Sequence, residues 1–519
     1  MHPRLHARSD PQKPAVIMTD TGAVLTYEEL ERRANQGAQL LRRLGLRSGQ
    51  VVAVWLPNIP EFFELYWAAQ RAGLHITPIA TALTASEARY ILEDSGAQLL
   101  VSHGAVAGLG DLLRAGPPDA LKHTYYVGQA AGALLNWSAA AATQPWLPID
   151  DERAGYQLLY SSGTTGRPKG VRLPLLDGPP VAEHAMAVRL HDVYGMGADS
   201  VYLSPAPLYH AAPLTFCTCC HRLGATAVVM PHFDAEASLA AIEAFRVTDL
   251  QMVPTMFVRL LRLPAAARHR YDLSSLRRVI HAAAPCPIDI KRQMIDWLGP
   301  IVHEYYAGSE GNGSTAISSQ EWLQKPGSVG RASWGTLHVC DAAGHELPRG
   351  RQGLVYFEGG WDFHYLNDPG KTRESRNPLH PTWSTLGDIG YQDQDGYLFL
   401  TDRKNFMIIS GGVNIYPQEI ENLLVTHPRV ADAAVIGVPN TDMGEEVRAV
   451  VQPLVWSDAT PEFAAELLSY CRENLSKVKC PRAVDFDPAL PRLDNGKLYK
   501  RLLRDRYWPA TAPKGGRTP

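Results

Sequence analysis

Short apolar runs separated by stretches of helical periodicity recur along this chain, and that alternation restricts it to an α/β architecture. The first instance can be read residue by residue. Thr26 and Glu29 have the spacing of a capping box, in which each side chain satisfies the other residue's free N–H. Leu30, Ala34, Ala38 and Leu41 then fall on one helix face, and Gly45 is a stop because it takes positive φ without a Cβ clash. A buried strand is expected at 51–56. Further strands are expected at 99–101, 157–160, 201–203, 225–230, 250–253, 279–282 and 301–305. Between Pro326 and Asp402, Gly, Pro and charged residues thicken, and runs at 353–357 and 397–400 suggest antiparallel sheet. A compact α+β pattern follows, with a helix at 417–426, strands at 430–438 and 447–453, and a helix at 461–474.

A length of 519 residues exceeds what one core usually holds, so more than one domain is expected. The boundary falls near Asp402, giving domains at 1–402 and 403–510 and a disordered tail at 511–519. With 45% hydrophobic residues, a large core can form without disulfides. A net charge of -3 argues against nucleic acid or a polybasic membrane surface as the main partner. Cys217, Cys219 and Cys220 lie close to His210 and His221, but a second ligand pair at finger-like spacing is missing. They are read as small buried side chains in a reducing compartment. The first ten residues carry charge and no apolar h-region, and no run of 18 apolar residues exists. No signal peptide or transmembrane helix is therefore expected, and the cytoplasm is the expected location.

The strongest chemical signal is Tyr160-Ser161-Ser162-Gly163-Thr164-Thr165-Gly166-Arg167-Pro168-Lys169-Gly170, directly after an expected strand. Its glycines let backbone N–H groups approach an anion, its hydroxyls can bond phosphate oxygens, and Lys169 adds a point charge. The pattern is that of a nucleotide-triphosphate cradle. It is not a Walker A loop, because Arg-Pro-Lys follows Gly166.

With this loop the chain resembles the adenylate-forming acyl-CoA synthetases, relatives of the luciferases and of peptide-synthetase adenylation domains. The resemblance runs from about residue 14 to residue 503 and rests on separated motifs in the family's order. It implies a large N-terminal domain and a small mobile C-terminal lid, joined by a hinge near 403–406. Pro207-Leu208-Tyr209-His210 looks like the family element whose histidine orients or gates the carboxylate. Ala282-Ala283-Ala284-Pro285 is similar to the segment that packs against adenine. In Tyr305-Tyr306-Ala307-Gly308-Ser309-Glu310-Gly311, the resemblance implies that Tyr306 stacks on adenine beside Tyr305. It also implies that Ser309 binds the α-phosphate and that Glu310, with Thr165, holds Mg2+. Ala307 and Ser309 depart from the family's Gly and Thr by small changes.

Leu386-Gly387-Asp388 resembles the family's ribose motif, with Asp388 accepting from both ribose hydroxyls and Arg403 approaching from the other side. Gly411 and Gly412 would line the path of the coenzyme A thiol. Asn405 and Phe406 depart from the acidic or basic residues usual at the hinge. Pro491-Arg492-Leu493-Asp494-Asn495-Gly496-Lys497 is similar to the lid motif whose lysine, here Lys497, neutralises charge at the α-phosphate and carboxylate.

The resemblance implies ATP, Mg2+ and coenzyme A as cofactors and a small carboxylic acid as partner. The acid would attack the α-phosphate to give acyl-AMP and pyrophosphate, and the thiol would then take the acyl group. Apolar, aromatic and small residues at 209–214, 252–257, 282–284 and 304–313 imply a hydrophobic acid: aryl, fatty or polycyclic. An amide-forming relative using a free amine is the alternative. A non-catalytic binding protein is disfavoured because Lys169, Glu310 and Lys497 are all present. The sequence does not specify an oligomeric state; a homodimer is the assembly expected.

Overall fold

The capping box at Thr26 closes as its spacing requires. The Thr26 hydroxyl accepts from the Glu29 N–H at 3.2 Å, and the Glu29 carboxylate accepts from the Thr26 N–H at 3.4 Å. The helix Tyr27–Arg43 then buries Leu30, Ala34, Ala38 and Leu41, and Gly45 lies just past its end at φ +86°. The structure, a computed structural model, describes residues 2–128, 130, 132–161, 168–175, 178–180, 184–403, 405–411, 413–492 and 498–508.

Among these residues two large sheets form the N-terminal part. One has six parallel strands, with Val51–Trp55 between Leu99–His103 and His75–Pro78. The other has nine strands. Its centre is parallel, running Thr226–Val229, Val201–Ser204, Asp249–Met252, Arg278–His281 and Val302–Ala307 in spatial order. Ser314–Ile317 and Arg331–Trp334 extend it antiparallel. One continuous apolar cluster joins both sheets through the helices between them. It contains Leu30 and Phe62, Val52 and Val101 of the first sheet, and Tyr202 and Ala227 of the second. Burial of these side chains supplies the main stabilisation.

A four-stranded antiparallel sheet follows, formed by Thr336–Cys340, Gly353–Glu358, Asp388–Gln392 and Leu398–Arg403. The chain then leaves this sheet, and Ile408–Ser410 enters another, built on the long hairpin Val430–Asn440 and Gly444–Pro453. That last sheet packs with the helices Pro417–Leu424 and Pro461–Asn474 around its own apolar cluster, which includes Ile420, Val435, Val451 and Leu467. The fold is thus mixed α/β, with a large several-sheet N-terminal domain and an α+β C-terminal domain.

One expected strand divides. Tyr156–Gln157 joins the six-stranded sheet beside His75–Pro78, whereas Leu159–Ser161 pairs antiparallel with Lys169–Arg172. The chain changes sheets at Leu158, whose N–H donates to the Ile76 carbonyl at 2.9 Å. An apolar run carries no mark of such a change of partner. Cys217, Cys219 and Cys220 are buried on the helix Ala211–Leu223, and burial pushes the Cys217 and Cys219 thiols up to about 12. No group of three or more His, Cys, Asp or Glu side chains among the described residues could hold a metal ion. No described helix is long and apolar enough to cross a membrane.

Candidate active site

The parallel strands of the nine-stranded sheet end at a deep cleft of about 3110 Å³, bounded on its other side by the C-terminal domain. Ligands of α/β sheets bind at this carboxyl edge, where loops follow the strands. Arg278–His281 is followed by Ala282 to Pro285, and Val302–Ala307 by Gly308 to Gly311; all of these line the cleft.

Ala283 has φ +76°, a left-handed conformation that costs a non-glycine residue about 1–2 kcal/mol. The strand ends that carry it are braced from below. The Lys291 ammonium donates to the Glu304 carboxylate at 2.5 Å, and His281 Nε2 lies 3.5 Å from the same oxygen. All three side chains are buried. Burial, and then the Lys291 charge, hold the His281 pKa well below the usual histidine range, so its ring is neutral.

Tyr306 and Arg403 converge on Asp388. The Tyr306 hydroxyl donates to Oδ2 at 2.6 Å and Arg403 Nε donates to Oδ1 at 3.0 Å. Strand register places Asp388 directly across from Arg403, while Tyr306 reaches it from the neighbouring sheet. The Asp388 charge raises the Arg403 pKa, and burial, then Asp388, raises that of Tyr306. Each carboxylate oxygen has two lone pairs, so Asp388 retains one acceptor site per oxygen for a further pair of hydroxyls.

Glu310 is 9% exposed and accepts from the Tyr365 hydroxyl at 2.9 Å. Gly308 lies close beside it: a Cβ there would come within 2.7 Å of Glu310 Oε2 and of Leu386 Cδ1, so these side chains would have to shift. The Tyr365 ring lies 5.8 Å below the Lys169 ammonium, so one tyrosine links the glycine-rich hairpin to the buried glutamate. Burial, and then Lys371, lower the Lys169 pKa. Strands Leu159–Ser161 and Lys169–Arg172 hold the hairpin, with Ser161 opposite Lys169 in register. Tyr160 fixes its base by donating to Asp94 at 2.7 Å. Ser162, Gly163, Thr164, Thr165 and Gly166 lie outside the described residues, as does the Ser161 side chain.

His210 stands at the N-cap position of the helix Ala211–Leu223, with its ring 4.7 Å from that of Tyr209, and both line the cleft with Ser309 and Tyr305. In the C-terminal domain Gly411 has φ +55°, and a Cβ there would collide with Met443. The neighbouring Ile409, Val413 and Met443 are exposed. Gly412 and Lys497 lie outside the described residues. Asn405 and Phe406 line the cleft, and Lys500 lies 5.0 Å over the Phe406 ring.

Sequence reasoning missed Tyr365 and the Tyr306–Asp388 hydrogen bond. The latter joins residues 82 positions apart, and no local pattern announces such a contact. For a divalent cation, the described residues offer the Glu310 carboxylate, whose second oxygen is free of the Tyr365 bond. That fits Mg2+, which takes one or two carboxylates and fills its other positions with phosphate oxygens and water.

Residues 4–363 match the AMP-binding enzyme family, and residues 419–497 match the AMP-binding enzyme C-terminal domain. The chain is 32% identical over 526 residues to the long-chain-fatty-acid–CoA ligase FadD13 of Mycobacterium tuberculosis, covering 98% of each. It is 34% identical over 518 residues to a feruloyl-CoA synthase of Amycolatopsis sp, covering 97% of this chain and 98% of that one. Among solved structures it is similar to ATP-bound MatB from Rhodopseudomonas palustris. There the TM-score is 0.81 and the identity 30%, covering 98% of this chain and 99% of that one.

Proposed function

The chain belongs to the AMP-binding, adenylate-forming enzymes that include the AMP-forming acyl-CoA ligases, and from that membership we propose that it activates a hydrophobic carboxylic acid as its acyl-adenylate and transfers the acyl group to coenzyme A. The observation that carries this reading is the convergence on one cleft of the Tyr306–Asp388–Arg403 group and the Lys169–Tyr365–Glu310 chain. The first offers acceptors for a ribose. The second offers a cation and a buried carboxylate, joined through the Tyr365 ring and hydroxyl, for a polyphosphate and its metal.

A carboxylate is a poor electrophile, so one of its oxygens must first become part of a good leaving group. In this reading Asp388 and Arg403 hold the ribose, Ala282 to Pro285 and Tyr306 receive the adenine, and the hairpin from Ser161 to Lys169 cradles the β and γ phosphates. Glu310 and Thr165 would hold Mg2+, which when bound neutralises phosphate charge. Ser309 and Lys497 meet the α-phosphate where negative charge builds as the carboxylate attacks, and His210 orients that carboxylate. Domains at 1–402 and 403–510 then turn about 403–406, which withdraws Lys497 and brings Gly411 and Gly412 to the thiol path. The acid is aryl, fatty or polycyclic, in keeping with the apolar and aromatic lining at Tyr209, Pro213, Phe216 and Tyr305.

The test is pyrophosphate release from Mg-ATP with a panel of aryl, fatty and polycyclic acids, each with and without coenzyme A. Release that depends on one class of acid, with its thioester detected by mass, is expected. Acid-dependent release that is indifferent to coenzyme A and yields an amide when an amine is supplied would replace the thiol by an amine.

A further inference from the structure

Arg189 lies on the helix Ala185–Tyr194 and lines the cleft beside Leu190 and Tyr305. No motif in the sequence gives it a role. Its Nη2 donates to the Ser314 hydroxyl and, at 2.6 Å, to the Ser333 hydroxyl, and its guanidinium lies 5.5 Å from the Trp334 ring centre. No Asp or Glu pairs with it among the described residues. The cleft's other half-buried arginine close to the strand ends, Arg403, does have a carboxylate. The partners the structure gives the Arg189 guanidinium are neutral hydroxyls and an indole face, so among the described residues its charge has no carboxylate beside it. Burial accordingly lowers its pKa.

The position is as informative as the charge. Ser314 pairs directly with Ala307 across the hairpin that carries Ser309 and Glu310. Cross-strand partners share a face, and side chains alternate along a strand. Arg189 is therefore tied to the face of Ala307 and Tyr305, opposite the face from which Tyr306 reaches Asp388. Aromatic groups wall this side: Trp334 meets Trp361 edge-on at 6.2 Å, and Tyr305 packs 6.1 Å from Phe216.

We propose that Arg189 anchors a second oxygen on the acid, at the end remote from the carboxyl that reacts, so that the preferred substrate is a ring-bearing acid with a keto or carboxylate oxygen at its far end. The inference rests on the ligase reading and deepens it. A guanidinium hydrogen bond to such an oxygen discriminates against a substrate lacking it, because the half-buried cation then goes without an acceptor in the closed site.

The experiment compares cyclohexyl-butanoic acid with its ring-ketone and ring-carboxylate analogues in acid-dependent pyrophosphate release. In the wild-type enzyme the oxygenated acids are expected to exceed the plain acid in kcat/KM by about 10- to 100-fold, mainly through KM. Arg189→Leu should collapse that ratio, and Arg189→Lys should restore it more for the carboxylate than for the ketone. A wild-type ratio near one overturns the inference, as does a ratio unmoved by Arg189→Leu, which would leave Arg189 as a tie between its helix and the sheet. Those outcomes leave the ligase reading standing. Failure of all three acids together with the aryl, fatty and polycyclic panel would overturn both.

Discussion

The two sides of the cleft hold their functional groups by different means. On the N-terminal side Asp388 is fixed by Tyr306 and by Arg403, the last residue of its partner strand at the proposed hinge, and Glu310, in the loop after a strand, by Tyr365. The C-terminal domain meets that side through lighter ties. The Arg262 guanidinium donates to the Ala431 and Val430 carbonyls at 3.1 and 2.6 Å, and Asp402 accepts from the Gln418 N–H at 3.0 Å. Its own core is separate. Hydrogen bonds between a guanidinium and backbone carbonyls contribute about 1.5–3 kcal/mol each, and those reached by solvent can be exchanged for water. In the proposed reaction the nucleotide site persists through two steps, which suits the first kind of construction, and the C-terminal domain turns between them, which suits the second.

The contrast can be broken most sharply at Lys497. Lys497→Ala is expected to slow acyl-adenylate formation by about 10³-fold while leaving thioester formation from supplied acyl-AMP largely intact. Equal loss in both half-reactions, measured separately, would put the lysine outside a moving lid. On the fixed side, Asp388→Ala removes the partner of Tyr306 and Arg403. The ATP KM should rise by about 10²-fold with both half-reactions affected; an unchanged KM would remove Asp388 from the ribose site. Tyr365→Phe keeps the ring under Lys169 and deletes only the hydroxyl to Glu310. About a tenfold loss is expected, partly recovered by raising Mg2+, and a loss that Mg2+ cannot touch would argue that Tyr365 serves packing alone. The smallest effect is expected for Arg262→Ala, which loosens the present docking of the C-terminal domain. Adenylation should fall by about two- to fivefold and thioester formation should not; a parallel fall in both would show that Arg262 supports stability rather than position.

Much of the scaffold was legible because it is local. The capping box, the helix face of Leu30 to Leu41 and the short buried strands each occupy a few consecutive residues. The segments that line the cleft were legible for the same reason, since Tyr305 to Gly311 is a strand end with the loop after it, and Ala282 to Pro285 directly follows a strand. What escaped is non-local. Tyr365 joins Glu310 across 55 positions, and Arg189 reaches Ser333 across 144. The division of the run at 157–160 between two sheets depends on neighbours that its own periodicity does not encode. Side chains that act through a distant partner have no period to betray them.

In the proposed reaction a carboxylate oxygen attacks the α-phosphate of ATP. Supplying an accepted acid labelled with oxygen-18 in its carboxyl group, and weighing the nucleotide product, tests this directly. AMP carrying one labelled oxygen, formed together with pyrophosphate, is expected. ADP with labelled inorganic phosphate would mean attack at the terminal phosphate instead and would contradict it.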